Sequence, residues 1–220
     1  MSDTTATFDL RQPNPRDQTT SSSGSDWTGT RGGRAKRLVD VLGASVAAAV
    51  FAPLALLVAA IVRVSSRGPV LHRSRRIGQF GREFEMYKFR TMRIGTPHVA
   101  THQLEDPQQY LTPVGGFLRR TSLDELPQLL NVLRGDMSLV GPRPALFNQH
   151  DLIEQRESLS IDQLRPGITG LAQVCGRDEL TISEKVAVDF EYLNHASMRL
   201  DMRILLDTVW RSAKGADVAH

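Results

Sequence analysis

The sequence predicts an α+β fold in two parts: an N-terminal, Pro-kinked re-entrant membrane helix and, after it, a compact membrane-associated domain of mixed helix and strand. Three observations predict this. A run of 22 residues after Asp40 carries no charge; a basic segment with partial apolar/polar alternation follows it; leucines then recur at helical spacing. With 220 residues, the chain has room for one domain plus attachments. The expected division is an arm over 1–33, the membrane helix over 34–66 and the domain over 67–220.

Residues 1–33 hold Ser/Thr/Gly/Pro tracts such as "TTSSSGSDWTGTRGG". Such a segment buries too little surface to offset the entropy of ordering, so a disordered arm is expected. A cleaved signal would carry its apolar core closer to the start. The stretch "LVDVLGASVAAAVFAPLALLVAAIV", 38–62, is long enough to cross a bilayer. Pro53 near its middle removes an N–H and crowds the preceding turn, which kinks a helix. Arg34, Lys36 and Arg37 precede the run, and Arg63 and Arg67 follow it. Cations prefer the cytoplasmic side, so a helix that enters and leaves by that face is favoured over a span. A buried soluble helix of this length would need a larger protein around it.

From Arg63 to Arg93, nine cations (Arg63, Arg67, Arg73, Arg75, Arg76, Arg82, Lys88, Arg90 and Arg93) face only Glu83 and Glu85, a local net of +7 in a chain whose total is +3. This concentration suits either anionic lipid headgroups or an anionic substrate. "GPVLHRSRRIGQFGREFEMYKFRTM" reads as two short strands around a turn at "GQFG", and 94–110 as an irregular polar loop. In "LDELPQLLNVLRG", Leu123, Leu126, Leu129, Leu130 and Leu133 fall at helical spacing, with Gly135 placed to end the helix. "DMSLVGPRP" must be extended or turning, because each proline restricts its neighbour. A helix is expected over 147–163, then "RPGITGLAQVCGR" as a Gly-rich loop around a short apolar strand. Helices over roughly 181–194 and 200–213 close the chain; the second puts Leu200, Ile204, Leu205 and Val209 on one face for core or membrane-surface packing. The single cysteine, Cys175, excludes an internal disulfide and a zinc set, and a small buried side chain is expected there. The six histidines show no metal-ligand spacing.

Two carboxylates stand side by side in "SLDELPQL". Ser122 and Glu125 have the spacing of a capping box, in which Asp124 would merely complement the helix dipole. Their company argues for more. Arg119 and Arg120 lie just upstream, Arg143 sits between the prolines of "GPRP", Arg177 closes the "GITGLAQVCGR" loop, and Lys88 and Arg90 lie in "YKFRTM". Among these cations the acids should be ionised, and an ionised carboxylate can act as a nucleophile or a metal ligand. Mg²⁺ binds phosphate oxygens with one or two protein carboxylates, so two acids among arginines suit a metal-bound diphosphate. No Walker loop, GxGxxG or kinase signature is present.

"GPVLHRSRRIGQFGREFEMYKFRTM", "GGFLRRTSLDELPQLLNVLRGDMSLVGPRP" and "LRPGITGLAQVCGR", in this order after a Pro-interrupted membrane segment, resemble the bacterial sugar transferases known as monotopic phosphoglycosyl transferases, or undecaprenyl-phosphate sugar phosphotransferases. The resemblance covers about residues 34–214. It implies transfer of a sugar 1-phosphate from a UDP-sugar to a polyprenol phosphate at the cytosolic face of the cytoplasmic membrane, releasing UMP. It would be the first membrane step of polysaccharide or glycoconjugate synthesis. By position, Asp124 matches the family's nucleophile, which forms an aspartyl phosphosugar, and Glu125 its partner acid, the pair holding Mg²⁺. Arg119, Arg143 and Arg177 stand where the family uses arginines around the nucleotide phosphates, Lys88 and Arg90 lie in its "KFRTM" motif, and Pro142, Arg143 and Pro144 form its "PRP" turn. Ala52 before Pro53, Gln109 in "DPQQYLT" and Cys175 depart from the family pattern, which bears on substrate details. Rival expectations are a glycosyltransferase releasing UDP and a silent lipid-binding adaptor. Nucleic-acid binding is not expected, since the basic stretch has no aromatic platform, and a homo-oligomer is left open.

Overall fold

The computed structural model describes residues 33–97, 106–176 and 180–214, so Arg177 and all of the arm except Gly33 lie outside the described residues. Helix α1, Gly33–Ser65, is long and apolar enough to cross a membrane by length and composition. At 1.5 Å per residue its 33 residues extend about 50 Å. Its backbone stays helical through Pro53. Leu38, Leu42, Val46, Val50, Leu56 and Leu57 are exposed along it.

Both ends of α1 are fastened to the same domain. At the start, Arg37 donates to the carbonyls of Val132 and Leu133, Lys36 to Asp201, and Asp40 accepts from Leu139 N and Ser138 Oγ. At the finish, Val58 and Val62 are buried against Phe89 and Leu118. Just beyond, the guanidinium of Arg90 closes the helix end through Ser66 O, Ser66 Oγ and Arg67 O, each at 2.8 Å. Gly68 has φ +119°, and a Cβ there would lie 2.1 Å from Arg90 Nη1, so only glycine lets the chain turn over that guanidinium.

Strands β1, Leu71–Ile77, and β2, Glu83–Phe89, form the expected antiparallel hairpin. Its register puts His72, Ser74 and Arg76 on the same face as Lys88, Met86 and Phe84. A 3-10 turn, Pro107–Tyr110, interrupts the loop expected over 94–110. Helix α2, Gly115–Arg120, leads to a 3-10 turn at Leu123–Glu125 and then α3, Gln128–Arg134, which ends at Gly135 as expected. The single helix expected from "LDELPQLLNVLRG" is thus divided, because Pro127 cannot supply an interior helical N–H. The capping box is not formed either: Ser122 lies at φ 54° and makes no side-chain cap, whereas an N-cap needs extended backbone. A real one caps a later helix, with Thr181 and Glu184 exchanging side-chain and backbone bonds.

Strand β3, Ser138–Val140, runs parallel to β4, Gly167–Thr169. Between them come α4, His150–Ser158, and a 3-10 turn, Ile161–Gln163, in place of one helix over 147–163. A Cβ on Gly170 would fall 2.1 Å from Gly141 O, so the "GPRP" and "GITG" backbones touch. Helix α5, Leu171–Cys175, replaces the expected end of the Gly-rich loop and leaves Cys175 exposed rather than buried. Helices α6, Ile182–His195, and α7, Met198–Lys214, close the fold. On α7, Ile204 is buried and Leu200 and Leu205 pack on the core, but Val209 faces out with Met198, Met202, Leu206 and Trp210.

Candidate active site

The turn Leu123–Glu125 places Asp124 and Glu125 at the junction of the hairpin, α2 and α3. Leu123 and Leu126, flanking the pair, pack into the cluster that holds the second half of α1, with Val58, Val62, Phe89 and Leu118. The leucines on either side of the carboxylates thus belong to the cluster that seats the apolar helix. Asn131, with 0% exposure, locks α3 onto β2: its Nδ2 donates to Glu85 O at 2.7 Å and its Oδ1 accepts from Tyr87 N at 3.0 Å. That registration brings Lys88, at the end of β2, within 2.6 Å of Glu125 Oε1.

Arg143 reaches the same oxygen from the "PRP" turn, its Nη1 and Nη2 donating at 3.4 and 3.3 Å. Arg119, on α2, donates Nε to Thr91 Oγ1 at 3.1 Å and lies close enough to Asp124 to feel its charge. Burial lowers the Arg119 pKa, Asp124 raises it and Arg143 lowers it again. Lys88, Arg119 and Arg143 thus converge on the acids. Arg90 does not: its donors close the end of α1. Pro142 and Pro144 are buried backbone of the turn that carries Arg143.

The two acids differ. Asp124 is only 6% exposed; burial pushes its carboxyl up, Lys88 pulls it down, and Glu125 pushes it up further. At Asp124, therefore, desolvation outweighs the pull of the neighbouring cations on the carboxyl. For Glu125, burial is outweighed by Lys88 and Arg143, which hold the carboxyl at about 2. Among the described residues, no side chain donates a hydrogen bond to Asp124. Lys88 and Arg143 both donate to Oε1 of Glu125.

No cluster of three or more His, Cys, Asp or Glu ligands forms among the described residues. The adjacent carboxylates of Asp124 and Glu125 nonetheless fit Mg²⁺, which takes few protein ligands when phosphate oxygens supply the rest.

Two residues are not among the candidate site residues, although Arg76 is counted in the basic segment. Arg76 donates Nη1 to Pro144 O at 3.1 Å, and Arg156 donates Nη1 to Arg143 O at 2.8 Å. Hairpin alternation could have put Arg76 on the face of Lys88; nothing local marks Arg156, whose partner Asp189 is far along the chain. A cleft behind the turn, lined by residues including Ile77, Pro142, Pro144, Glu157 and Asp162, contains neither site carboxylate.

A family model described as "Bacterial sugar transferase" matches residues 32–215. The chain is 43% identical over 197 residues to the exopolysaccharide production protein ExoY of Rhizobium meliloti (strain 1021), covering 81% of this chain and 85% of that one. It is 45% identical over 183 residues to the UDP-glucose:undecaprenyl-phosphate glucose-1-phosphate transferase of Caulobacter vibrioides (strain ATCC 19089 / CIP 103742 / CB 15), covering 79% and 68%. It is 36% identical over 181 residues to the UDP-N-acetylgalactosamine-undecaprenyl-phosphate N-acetylgalactosaminephosphotransferase of Aeromonas hydrophila, covering 79% and 42%.

Proposed function

We propose, from the premise that the chain belongs to the bacterial sugar transferase family, that it transfers a sugar 1-phosphate from a UDP-sugar to undecaprenyl phosphate by way of an aspartyl intermediate, releasing UMP. The observation that carries this reading is the buried Asp124 beside an ionised Glu125, met by Lys88, Arg119 and Arg143 and flanked by leucines that pack with an apolar helix.

A carboxylate oxygen of Asp124 attacks the β-phosphorus of the donor. The bond from that phosphorus to the bridging oxygen breaks, and UMP leaves with the electron pair. A phosphate oxygen of the acceptor then attacks the same phosphorus, the bond to Asp124 breaks, and the carboxylate is regenerated. Covalent catalysis divides one difficult exchange into two displacements. Lys88, Arg119, Arg143 and Arg177 orient the donor's phosphates and offset their charge. Asp124 and Glu125 would hold Mg²⁺ against the phosphate oxygens, where it supplies charge neutralisation. Burial of Asp124 excludes water that would otherwise compete for the intermediate.

The acceptor's lipid chain requires a site at the bilayer. The packing of Leu123 and Leu126, on either side of the acids, with α1 supports this, and the exposed apolar residues of α1 and α7 suit membrane contact. With both ends of α1 docked on one domain, a helix re-entering the cytoplasmic membrane from the cytosolic face accommodates the fold better than a span.

The test is UMP release by full-length protein in nanodiscs with Mg²⁺, undecaprenyl phosphate and UDP-glucose, UDP-galactose or UDP-N-acetylgalactosamine. Asp124→Asn is expected to lose about a thousandfold or more of the activity. Full activity in that variant rejects the aspartyl route, and UDP as product rejects phosphosugar transfer. Salt-sensitive liposome binding with no turnover would favour an adaptor.

A further inference from the structure

The turn that presents Arg143 is held by its acceptors. Pro142 and Pro144 have no N–H to offer, and four consecutive carbonyls each receive a hydrogen bond instead. Gly167 N donates to Pro142 O at 2.9 Å, Arg156 Nη1 to Arg143 O at 2.8 Å, Arg76 Nη1 to Pro144 O at 3.1 Å, and Ile77 N to Ala145 O at 3.0 Å. The two middle donors are side chains, and each is fixed from behind. Arg76 also donates Nε to Ser74 Oγ at 3.1 Å. Arg156 gives Nε and Nη2 to Oδ2 of buried Asp189 at 3.1 and 2.6 Å.

Using an arginine here is costly. Burial and the neighbouring Arg143 bring the Arg76 pKa down to about 10, with Glu125 only partly opposing them. A cation placed against another cation is relieved when an anion enters between them, as a phosphate would at this site.

We propose that Arg76 and Arg156, with Asp189 behind the latter, are positioning residues for the transfer. They hold the Pro142–Pro144 turn by its carbonyls so that Arg143 is presented to Glu125 and to the donor's phosphates. The role in transfer rests on the function proposed above; the brace itself does not.

The test uses Arg76→Lys and Arg156→Lys, alone and combined with Arg143→Gln, in full-length nanodisc protein. Lysine keeps the charge but loses the fork that bonds two acceptors at once. Hydrogen exchange across 141–147 is expected to quicken about tenfold in either variant, with β2 unchanged. Donor kcat/KM should fall about tenfold when Arg143 is present and less than about twofold when it is absent. Asp189→Asn is the milder substitute if a lysine variant fails to fold. Wild-type exchange rates in these variants overturn the brace. Faster exchange with equal kcat/KM losses in both backgrounds overturns its action through Arg143. If wild-type protein releases no UMP from any donor, the function reading fails and exchange alone decides the brace.

Discussion

Asp124 and Glu125 are adjacent in the chain, yet a turn in the backbone gives them different surroundings, and their titration should differ accordingly. Glu125 is held at about 2 by Lys88 and Arg143, below an ordinary glutamate near 4.3. Its pairing therefore stabilises the fold above that ordinary value and is lost as pH falls toward 2. Asp124 is raised by burial, so its ionised form costs stability that a neutral residue would recover. Asp124→Asn is expected to raise the thermal midpoint at neutral pH, and the gain should vanish below pH ~3.9, the ordinary aspartate value. Activity should have the opposite dependence, because the nucleophile must be ionised. The acid limb of kcat/KM for UMP release should lie above the ordinary aspartate value. Glu125→Gln removes an anion that raises Asp124 and should move the limb to lower pH, while Lys88→Met should move it to higher pH. A limb unmoved by both changes would separate Asp124 from the rate.

Among the elements, the hairpin and the end of α3 follow from local rules: alternation, a Gly-containing turn and a C-terminal glycine. The start of α3 does not. Leucine spacing runs unbroken across "LDELPQLL", but Pro127 divides the helix and the segment before it turns, which leaves Asp124 at a bend. The Ser122/Glu125 spacing resembled a cap only until the left-handed backbone of Ser122 ruled one out. Asn131 shows what joins these elements. Its amide completes hydrogen bonds of β2 that no strand among the described residues supplies. Asn131→Ala takes the partner from the Tyr87 N–H and the Glu85 carbonyl and empties a fully buried position, and a loss of about 2 kcal/mol is expected in denaturant unfolding. Activity should fall with it, since the same contact sets the reach of Lys88. A loss confined to stability would mean that Lys88 finds Glu125 by another route.

Across the whole molecule, the apolar helix and the domain are one unit. Lys36, Arg37 and Asp40 secure its start, and Arg90 secures its end. In a Cys175→Ser background, Arg34→Cys and Arg67→Cys replace exposed residues at opposite ends of α1. Both should react with a membrane-impermeant maleimide from the same side of sealed vesicles; labelling from opposite sides would establish a span. The sequence by itself determined the apolar run, the hairpin, the concentration of cations and the adjacent acids, because composition, period and turn chemistry are local. Only the tertiary structure decided which cations serve the acids. Lys88 and Arg143 reach Glu125, Arg119 lies beside Asp124, Arg90 closes a helix, and Arg76 and Arg156 hold a turn. An arginine's role depends on the nearest acceptor in space, and contacts between residues distant in the chain have no signature in the local pattern of either partner.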